Sequence, residues 1–269
     1  MPVQLEPPRT LVQHIEDEGR ALIGMWACAA SPITAEICAS AGLDYVLIDA
    51  EHSPNDLTSL LHQLHAVQAY PSSTIVRVPI NDERLIKQYL DLGVRNLLVP
   101  MVHTKEMAEL AAKRVDYPDT GVRGVGSALA RASMWNRIPD YLNRARETIT
   151  LICQIESDQA VQEVEEILDV DGVDAIFVGP ADLAADLGII GQATDEEVKS
   201  RVKHCIAAAN KAGKPVGTNA FNPDVAREYI EAGADFVLVG ADVTILARGS
   251  EALATEFLGD TGGPEPAGY

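Results

Sequence analysis

The residues best suited to chemistry stand at the end of an apolar segment near the start of the chain. Tyr45–Ile48 is followed directly by Asp49, and Glu51 and His52 come next. Four successive apolar residues with aromatic and β-branched members are typical of a strand that is buried on both faces. A charge at such a place is costly unless it is paired or bound to something. We therefore expect this strand to end at the mouth of a barrel and to take part in chemistry there.

Further candidate residues occur where the other predicted strands end. The polar ones are Arg77, Gln154, Glu156, Asp182, Asn219 and Asp242, and Trp26, Gly179, Pro180 and Ala181 lie beside them. In a barrel of parallel strands the active site forms at the carboxyl ends of the strands, so these side chains share one rim. Acids, amides, an imidazole and a guanidinium on one rim have the composition of a reaction centre.

Glu156 and Asp182 fall at the ends of neighbouring predicted strands. Two carboxylates with coordination positions left open suit Mg²⁺, Mn²⁺ or a similar divalent ion. Alternatively, Asp182 only caps the turn after its strand and Glu156 pairs with an arginine. The Gly179-Pro180-Ala181 sequence would let backbone N–H groups of Ala181 and Asp182 approach an anion.

Arg77 lies almost inside a predicted strand. Arginine is mostly solvated, and one inside a buried strand needs an anionic partner. The prediction is that Arg77 binds a substrate carboxylate or oxyanion.

The elements that position these residues repeat one joint four times. A glycine, a short turn and then an apolar strand occur at Gly42, Gly93, Gly172 and Gly233. A glycine that ends a helix in the left-handed conformation explains this sequence pattern. The repetition of the pattern predicts βα units with a parallel sheet. About eight strands in residues 1–258 predict a single (β/α)₈ barrel. An open doubly wound sheet would have fewer strands and usually a glycine-rich loop after the first.

Two segments do not fit the repeated βα units. Residues 116–147 form a long connection rich in arginine and glycine, for which we predict a loop that faces substrate or another subunit, or else a solvated insertion. Residues 259–269 are rich in glycine and proline and are predicted to be a disordered tail.

Composition excludes several classes of partner. The formal charge of −19 argues against nucleic acid and against an anionic membrane surface. It also means that an anionic substrate needs a local positive centre. No apolar run resembles a signal peptide or reaches the length of a bilayer span, and the four cysteines are scattered. We predict a cytoplasmic protein with reduced thiols.

Long motifs in this order resemble the HpcH/HpaI family of metal-dependent (class II) pyruvate aldolases, which have a barrel of the phosphoenolpyruvate/pyruvate-domain type. The motifs are Leu-Ile-Asp49-Ala-Glu51-His52-Ser-Pro-Asn-Asp, Arg77-Val-Pro-Ile-Asn-Asp82, Gly121-Val-Arg123-Gly-Val-Gly-Ser-Ala-Leu-Ala-Arg-Ala-Ser, Gln154-Ile-Glu156 and Gly179-Pro-Ala-Asp182-Leu. The resemblance covers nearly the whole chain. It implies reversible cleavage of 4-hydroxy-2-oxo acids, of the 4-hydroxy-2-oxoheptanedioate type met in aromatic compound catabolism, to pyruvate and an aldehyde.

The resemblance also implies roles for individual residues. His52 would be the general base, Arg77 would stabilise the enolate, and Glu156 with Asp182 would bind Mg²⁺, Mn²⁺, Co²⁺ or a similar cation as Lewis acid. Gln154 and the backbone around Ala181 would hold the pyruvate portion, in a site that also includes Trp26, Gly179 and Pro180. The partners implied are a 2-oxo acid, an aldehyde and further copies of the chain in a homo-oligomer, a hexamer by family resemblance.

Asp91 would match a family aspartate that raises the basicity of the histidine. It is predicted to lie near the end of a helix, at the rim opposite His52, so the role requires a neighbouring subunit or a different helix end. Asp49 is the nearer partner in the same chain, and both remain candidates.

An aldolase can instead use a lysine Schiff base, which must be desolvated. Every lysine falls on a predicted helix or, for Lys214, at the opposite end of the barrel, which favours the metal route. Alternative functions are a 2-dehydro-3-deoxy-aldarate aldolase, a hydroxypyruvate-accepting aldolase, a CoA-thioester lyase and a non-catalytic barrel that binds 2-oxo acids. The polar Thr218-Asn219-Ala220 sequence favours a hydroxylated donor or acceptor.

Overall fold

Eight parallel strands close into a barrel in chain order, in a computed structural model that describes residues 3–259. The strands are β1 (Leu22–Ala27), β2 (Tyr45–Asp49), β3 (Ser73–Arg77), β4 (Asn96–Val99), β5 (Thr150–Ile155), β6 (Ala175–Val178), β7 (Val216–Asn219) and β8 (Phe236–Ala241). The predicted closed (β/α)₈ barrel is confirmed. Within residues 3–259 no helix is long and apolar enough to cross a membrane.

Helices surround the barrel and one closes its base. They are α1 (Leu11–Glu18), α2 (Pro32–Ser40), α3 (Leu57–Val67), α4 (Glu83–Asp91), α5 (Lys105–Val115), α6 (Tyr141–Arg144), α7 (Asp158–Gln162), α8 (Val164–Leu168), α9 (Pro180–Asp186), α10 (Glu196–Ala212), α11 (Pro223–Glu231) and α12 (Asp242–Leu258). Thr10 and Gln13 form a capping box at the start of α1. The Leu11 N–H of α1 donates to the Asn96 side chain at 2.7 Å, so α1 is attached to the amino end of β4.

The four repeated joints have the conformation predicted for them. Gly42, Gly93, Gly172 and Gly233 have φ values of 90°, 92°, 90° and 102°. A side chain at these positions would be strained, so glycine lets each helix end and the next strand begin within a few residues.

Large aromatic rings fill the barrel interior beside glycines. A Cβ at Gly24 would lie 2.6 Å from the Tyr45 ring, and one at Gly217 would lie 2.2 Å from the Phe236 ring. Phe236 also packs against Phe177 with ring centroids 6.1 Å apart. This pairing of glycine with an aromatic ring fills the lower half of the barrel interior, so the interior is open only toward the carboxyl ends of the strands.

The segment 116–147 lies at the amino end of the barrel because it connects α5 to β5. It contains α6 and short 3₁₀ turns, and Arg95 from the start of β4 donates to its Ala132 carbonyl at 3.0 Å. The prediction that it faces substrate is therefore wrong for its own barrel, since an αβ connection and the strand ends that bear the site lie at opposite ends. The alternative that it faces another subunit stays a prediction. The predicted tail lies outside the described residues apart from Gly259.

Candidate active site

A cavity of about 570 Å³ opens at the carboxyl end of the barrel. Strand ends or the turns after them supply most of its wall, as expected for a (β/α)₈ protein. Eight of the predicted site residues line it, namely Trp26, Asp49, His52, Arg77, Gln154, Gly179, Ala181 and Asp182. The strand-end rule therefore brings most of the candidates into one place.

Arg77 is the buried positive charge of this cavity. Its Nε donates to Asp49 Oδ1 at 2.8 Å, and its Nη1 lies 3.0 Å from Glu51 Oε2. The guanidinium carbon is 4.5 Å from the centroid of the Trp26 ring. Burial alone would lower the pKa of Arg77, but the hydrogen bond to Asp49 and the charges of Asp49, Glu51 and Glu156 outweigh it and raise the pKa. The guanidinium is permanently charged and fixed in orientation.

Asp49 organises the turn that carries the histidine. The β2–β3 register places it directly beside Arg77. Its two oxygens accept the backbone N–H groups of Glu51 at 3.0 Å and His52 at 3.3 Å, and the Ser53 hydroxyl at 3.3 Å. Burial would raise the pKa of Asp49, but the Arg77 hydrogen bond and charge hold it below its usual value. Asp49 thus positions the backbone of His52 and does not touch the imidazole.

Glu51 is the carboxylate nearest the imidazole in the described contacts. Its Oε2 lies 3.9 Å from His52 Nε2, while the same oxygen pairs with Arg77. Burial raises the pKa of Glu51, against the lowering effects of Arg77 and His52. The His52 side chain is 66% exposed, so its ring is open to a substrate at the cavity mouth. Sequence reasoning left Glu51 without a role.

Glu156 lies behind the cavity wall rather than on it. It is 3% exposed; its Oε1 accepts the Met101 N–H at 2.6 Å, and its Oε2 accepts from the Gln154 amide. Burial raises the pKa of Glu156 to about 7; the Met101 N–H opposes this, and the charges of Asp182 and Glu51 add to it. Burial is therefore the main reason why the pKa of this carboxyl lies near neutral pH.

Gly179 allows the closest approach in this wall. A Cβ at Gly179 would lie 3.0 Å from Gln154 Nε2 and 3.1 Å from Glu156 Oε2. The side-chain amide oxygen of Gln154 is buried and has no hydrogen-bond partner among the described residues. A buried acceptor without a donor is rare in proteins and indicates a position that a ligand or ion completes.

The oxygen ligands available here suit a divalent cation, some of whose coordination positions are filled by substrate or water. Glu156 and Asp182 are hard oxygen donors, Asp182 is exposed on the first turn of α9, and the unpaired Gln154 oxygen lies in the same wall. No cluster of three or more His, Cys, Asp or Glu side chains suited to a metal occurs in residues 3–259. Two protein carboxylates leave room for substrate oxygens and water, as Mg²⁺ prefers.

Two predicted residues lie away from the cavity. Asp91 is the last residue of α4, at the amino end of the barrel, and pairs there with Arg123 Nη2 at 2.8 Å. This excludes a misplaced helix end, so a role beside the histidine requires the site of another subunit. Pro180 is buried at the first position of α9 and is not part of the cavity lining, so it shapes the backbone without facing substrate.

Phe221 and Thr244 were not predicted to lie here, and Asn219 and Asp242 were placed on the rim without a catalytic role. Asn219, Phe221 and Thr244 line the cavity, and Asp242 accepts the N–H groups of Cys28 at 2.8 Å and Ala29 at 3.1 Å. Asp242 therefore joins the turn after β1 to the end of β8. The sequence feature that pointed to Asp242 is its position directly after the last strand. Cys28 also lines the cavity, and burial raises the pKa of its thiol to about 11, which leaves it protonated and a poor nucleophile.

No lysine in the described residues lines this cavity. Lys214, the one lysine next to a strand, donates to the Leu168 and Val170 carbonyls at the amino end of the barrel. A Schiff-base mechanism therefore has no nucleophile in place.

An arginine, an imidazole and buried carboxylates at the mouth of a (β/α)₈ barrel are groups that can transfer a proton and stabilise an oxyanion. The HpcH/HpaI aldolase/citrate lyase family profile matches residues 22–249. Over 99% of its length and 98% of the relative, the chain is 47% identical to the hydroxypyruvate/pyruvate aldolase of Deinococcus radiodurans. It is 49% identical to the 4-hydroxy-2-oxo-heptane-1,7-dioate aldolase of Klebsiella pneumoniae, over 89% of the chain and 90% of the relative.

A solved structure supports the same assignment. An HpcH/HpaI aldolase/citrate lyase family protein from Burkholderia cenocepacia superposes with a TM-score of 0.86 and is 38% identical, covering 91% of this chain and 98% of that one. The chain belongs to the HpcH/HpaI aldolase/citrate lyase family. It is an aldolase, a carbon–carbon lyase.

Proposed function

We propose that this chain is a class II pyruvate aldolase that reversibly cleaves 4-hydroxy-2-oxo acids, of the 4-hydroxy-2-oxoheptanedioate type, to pyruvate and an aldehyde. The observation that carries the proposal is one cavity with an exposed imidazole, a buried arginine and two carboxylates beside it, to which no described lysine contributes. The Klebsiella pneumoniae and Deinococcus radiodurans relatives, which are named as aldolases, support this class of reaction.

Cleavage begins with proton removal from the substrate. The His52 imidazole takes the proton of the C4 hydroxyl, the C3–C4 bond breaks, and C4 leaves as the aldehyde carbonyl. The electron pair of that bond stays on the pyruvate fragment as its enolate, which becomes pyruvate when C3 is protonated. His52 suits the base role because its ring is open at the mouth while Asp49 and Glu51 hold its backbone and its ring edge.

Arg77 stabilises the negative charge that develops on the enolate. Its Nε and Nη1 are engaged by Asp49 and Glu51, which leaves Nη2 as the guanidinium nitrogen not engaged by a described carboxylate. A donor fixed before the reaction costs no reorganisation when charge appears. Gln154, Gly179 and Ala181 form the adjacent wall and would hold the carboxylate end of the 2-oxo acid.

Glu156 and Asp182 are the residues that would hold a divalent cation such as Mg²⁺, Mn²⁺ or Co²⁺. When bound, such a cation supplies Lewis acidity at the 2-oxo-acid end of the substrate. The raised pKa of Glu156, caused by burial and by neighbouring carboxylates, supports a cation at this place because positive charge is what the carboxylate lacks.

A second candidate is a hydroxypyruvate-accepting aldolase of the same family. Asn219 ends β7 and lines the cavity with a neutral amide that can both donate to and accept from a substrate hydroxyl. The Deinococcus radiodurans relative is named for both donors. Sugar-acid substrates of the 2-dehydro-3-deoxy-aldarate type share this requirement for hydroxyl recognition. The CoA-thioester lyase and the non-catalytic 2-oxo-acid-binding barrel are less favoured: the chain shows no evident loop for adenine or pyrophosphate, and its cavity holds a complete set of reacting groups.

The test is a pyruvate-release assay on a panel of 4-hydroxy-2-oxo acids, with and without a chelator. The expected result is activity that chelation abolishes and added Mg²⁺ or Mn²⁺ restores. His52→Ala should lower kcat/KM by about 10²- to 10⁴-fold. His62→Ala, an exposed histidine on α3 away from the cavity, is the matched control and should leave the rate unchanged.

Full activity in excess chelator would exclude the metal route. A His52→Ala rate within about threefold of the native rate would exclude His52 as the base. Pyruvate release from none of the panel would contradict the substrate class.

Asp91 would act on a neighbouring subunit's site, in a homo-oligomer that we predict to be a hexamer. Asp91→Ala and His52→Ala chains are each expected to be nearly inactive alone. If a complete site combines His52 of one chain with Asp91 of another, equal mixing after subunit exchange restores activity at about a quarter of sites. Failure to complement despite verified exchange would assign Asp91 only to its ion pair with Arg123.

A further inference from the structure

A second cavity lies at the amino end of the barrel, opposite the candidate active site. It has a volume of about 180 Å³ and lies among α3, the first residues of β3 and β4, and the segment 116–147. Arg9, Arg95 and Arg131 line it. No aspartate or glutamate is among its lining residues, although the chain contains 40 acidic residues.

Arg95 is a buried cation without a counter-charge. Its side chain is 8% exposed and donates to the Ala132 carbonyl at 3.0 Å and to the Tyr141 hydroxyl. Burial lowers the pKa of Arg95; Tyr141 raises it, and the like charges of Arg131 and Arg123 lower it further. Neutral acceptors satisfy some of its N–H groups but leave its charge uncompensated, and a buried uncompensated charge is costly.

Arg131, on the opposite wall of the cavity, also donates to neutral acceptors. Its Nη1 donates to the Leu92 carbonyl at 2.8 Å and its Nη2 to the Gln68 side-chain oxygen at 2.7 Å. Burial lowers its pKa. Neither Arg95 nor Arg131 has a carboxylate within 4.0 Å among residues 3–259.

We propose that this cavity binds a small oxyanion, either a phosphate or a short carboxylate, between Arg95 and Arg131 with Arg9 at its mouth. Guanidinium groups match the oxygens of both anions in pairs of parallel hydrogen bonds. A cavity of about 180 Å³ has room for an ion of several heavy atoms. The ligand class is therefore inorganic phosphate, a small phosphate ester headgroup or a dicarboxylate of about four carbons.

This site is separate from the candidate active site. Ser73 lines the second cavity at the start of β3, and Arg77 lines the first at its end. Four residues of strand place them about 13 Å apart along the barrel. The proposal does not depend on the aldolase function, because it rests on the charge imbalance at the amino end alone.

The test is titration calorimetry of the native protein with sodium phosphate and, separately, with sodium succinate, at constant ionic strength and in the presence of chelator. Saturable binding of at least one of them is expected. Arg131→Gln should weaken it by about tenfold or more, since a charge-assisted pair of hydrogen bonds is lost. Arg95→Lys, which keeps the charge but not the planar fork, is the second variant, and Arg227→Gln on exposed α11 is the matched control.

Arg77→Lys distinguishes the two cavities. Retained binding in Arg77→Lys together with weakened binding in Arg131→Gln and Arg95→Lys supports the proposal. Binding lost in Arg77→Lys but intact in Arg131→Gln assigns the anion to the active site and overturns it. Absence of saturable binding of both anions to the native protein also overturns it. The titration that shows saturable binding, with phosphate or with succinate, identifies which kind of anion the cavity binds.

Discussion

The cavities at the two ends of this barrel are surrounded by opposite charges. At the carboxyl end, Asp49, Glu51, Glu156 and Asp182 act on one another around a single buried arginine, Arg77. At the amino end, Arg95, Arg123 and Arg131 act on one another, and the ion pair between Arg123 and Asp91 is their one contact with a described carboxylate. Each cavity is short of the charge that surrounds the other.

The difference shows that local charge, rather than the total of −19, defines what each end can bind. An excess of buried carboxylates is stabilised by a cation, and an excess of buried guanidinium groups by an anion, because either charge alone is poorly solvated. Net charge predicts which macromolecules the chain avoids. It does not predict these two sites, since both depend on which side chains the fold brings together.

The largest effect is expected from Arg77 at the carboxyl end. Arg77→Met should lower kcat/KM by roughly 10²- to 10³-fold or more, because the fixed positive charge beside the enolate is lost. It also leaves Asp49 and Glu51 unpaired, and breaking a buried ion pair costs about 3–5 kcal/mol of stability. Steady-state kinetics and thermal unfolding measure the two effects.

Arg77→Lys keeps a charge and is the variant to use if Arg77→Met does not fold. It should lose most of the activity with a smaller loss of stability, because one ammonium does not reproduce the geometry of a guanidinium that contacts two carboxylates. Arg227→Met, an exposed arginine on α11, is the control. Native kcat/KM in Arg77→Lys would show that the carboxyl end needs only positive charge and no fixed donor.

A smaller effect, on stability, is expected from Glu156 when metal is removed. Its pKa rises from an ordinary 4.5 to about 7 in the folded protein, chiefly through burial. Between about pH 4.5 and 7 the folded state therefore holds a proton that the unfolded state lacks. Stability falls as pH rises through this window, by at most about 3 kcal/mol.

Glu156→Gln removes this titration with little change in shape. The melting temperature of the chelated native protein should fall by several degrees from pH 5 to pH 8, and that of Glu156→Gln should fall less. Added Mg²⁺ or Mn²⁺ at pH 8 should raise the melting temperature of the native protein only. Equal metal-dependent stabilisation of both proteins would contradict Glu156 as a ligand.

The barrel and most of the cavity followed from local patterns in the sequence. Gly42 and its three equivalents mark each strand start, and strand ends in parallel units meet at one rim whatever the helices do between them. Asp49, Arg77 and Gln154 could therefore be placed together before any contact was known. This reasoning works because it uses only the order of elements and the direction of parallel strands.

The ion pairs and the missing counter-charges could be identified only from the folded structure. Glu51 lies two residues after a strand, and its side chain turns back to Arg77 because Asp49 holds the turn through backbone N–H groups. The lack of carboxylates around Arg95 is likewise invisible in sequence, where acids are abundant. Spacing does not report which side chains a long connection such as 116–147 brings to a distant strand.

The smallest effect is expected from the neutral group at the carboxyl end. Asn219→Leu removes a hydrogen-bonding amide from the cavity wall, so the ratio of kcat/KM for hydroxypyruvate over pyruvate as donor should fall by up to about tenfold. Thr244→Val in the same wall is the matched control, with the ratio as readout. An unchanged ratio would remove Asn219 from donor selection and leave recognition to the charged groups. A fall confined to the hydroxylated donor would show that the carboxyl end uses charge for the reacting atoms and a neutral amide for selectivity.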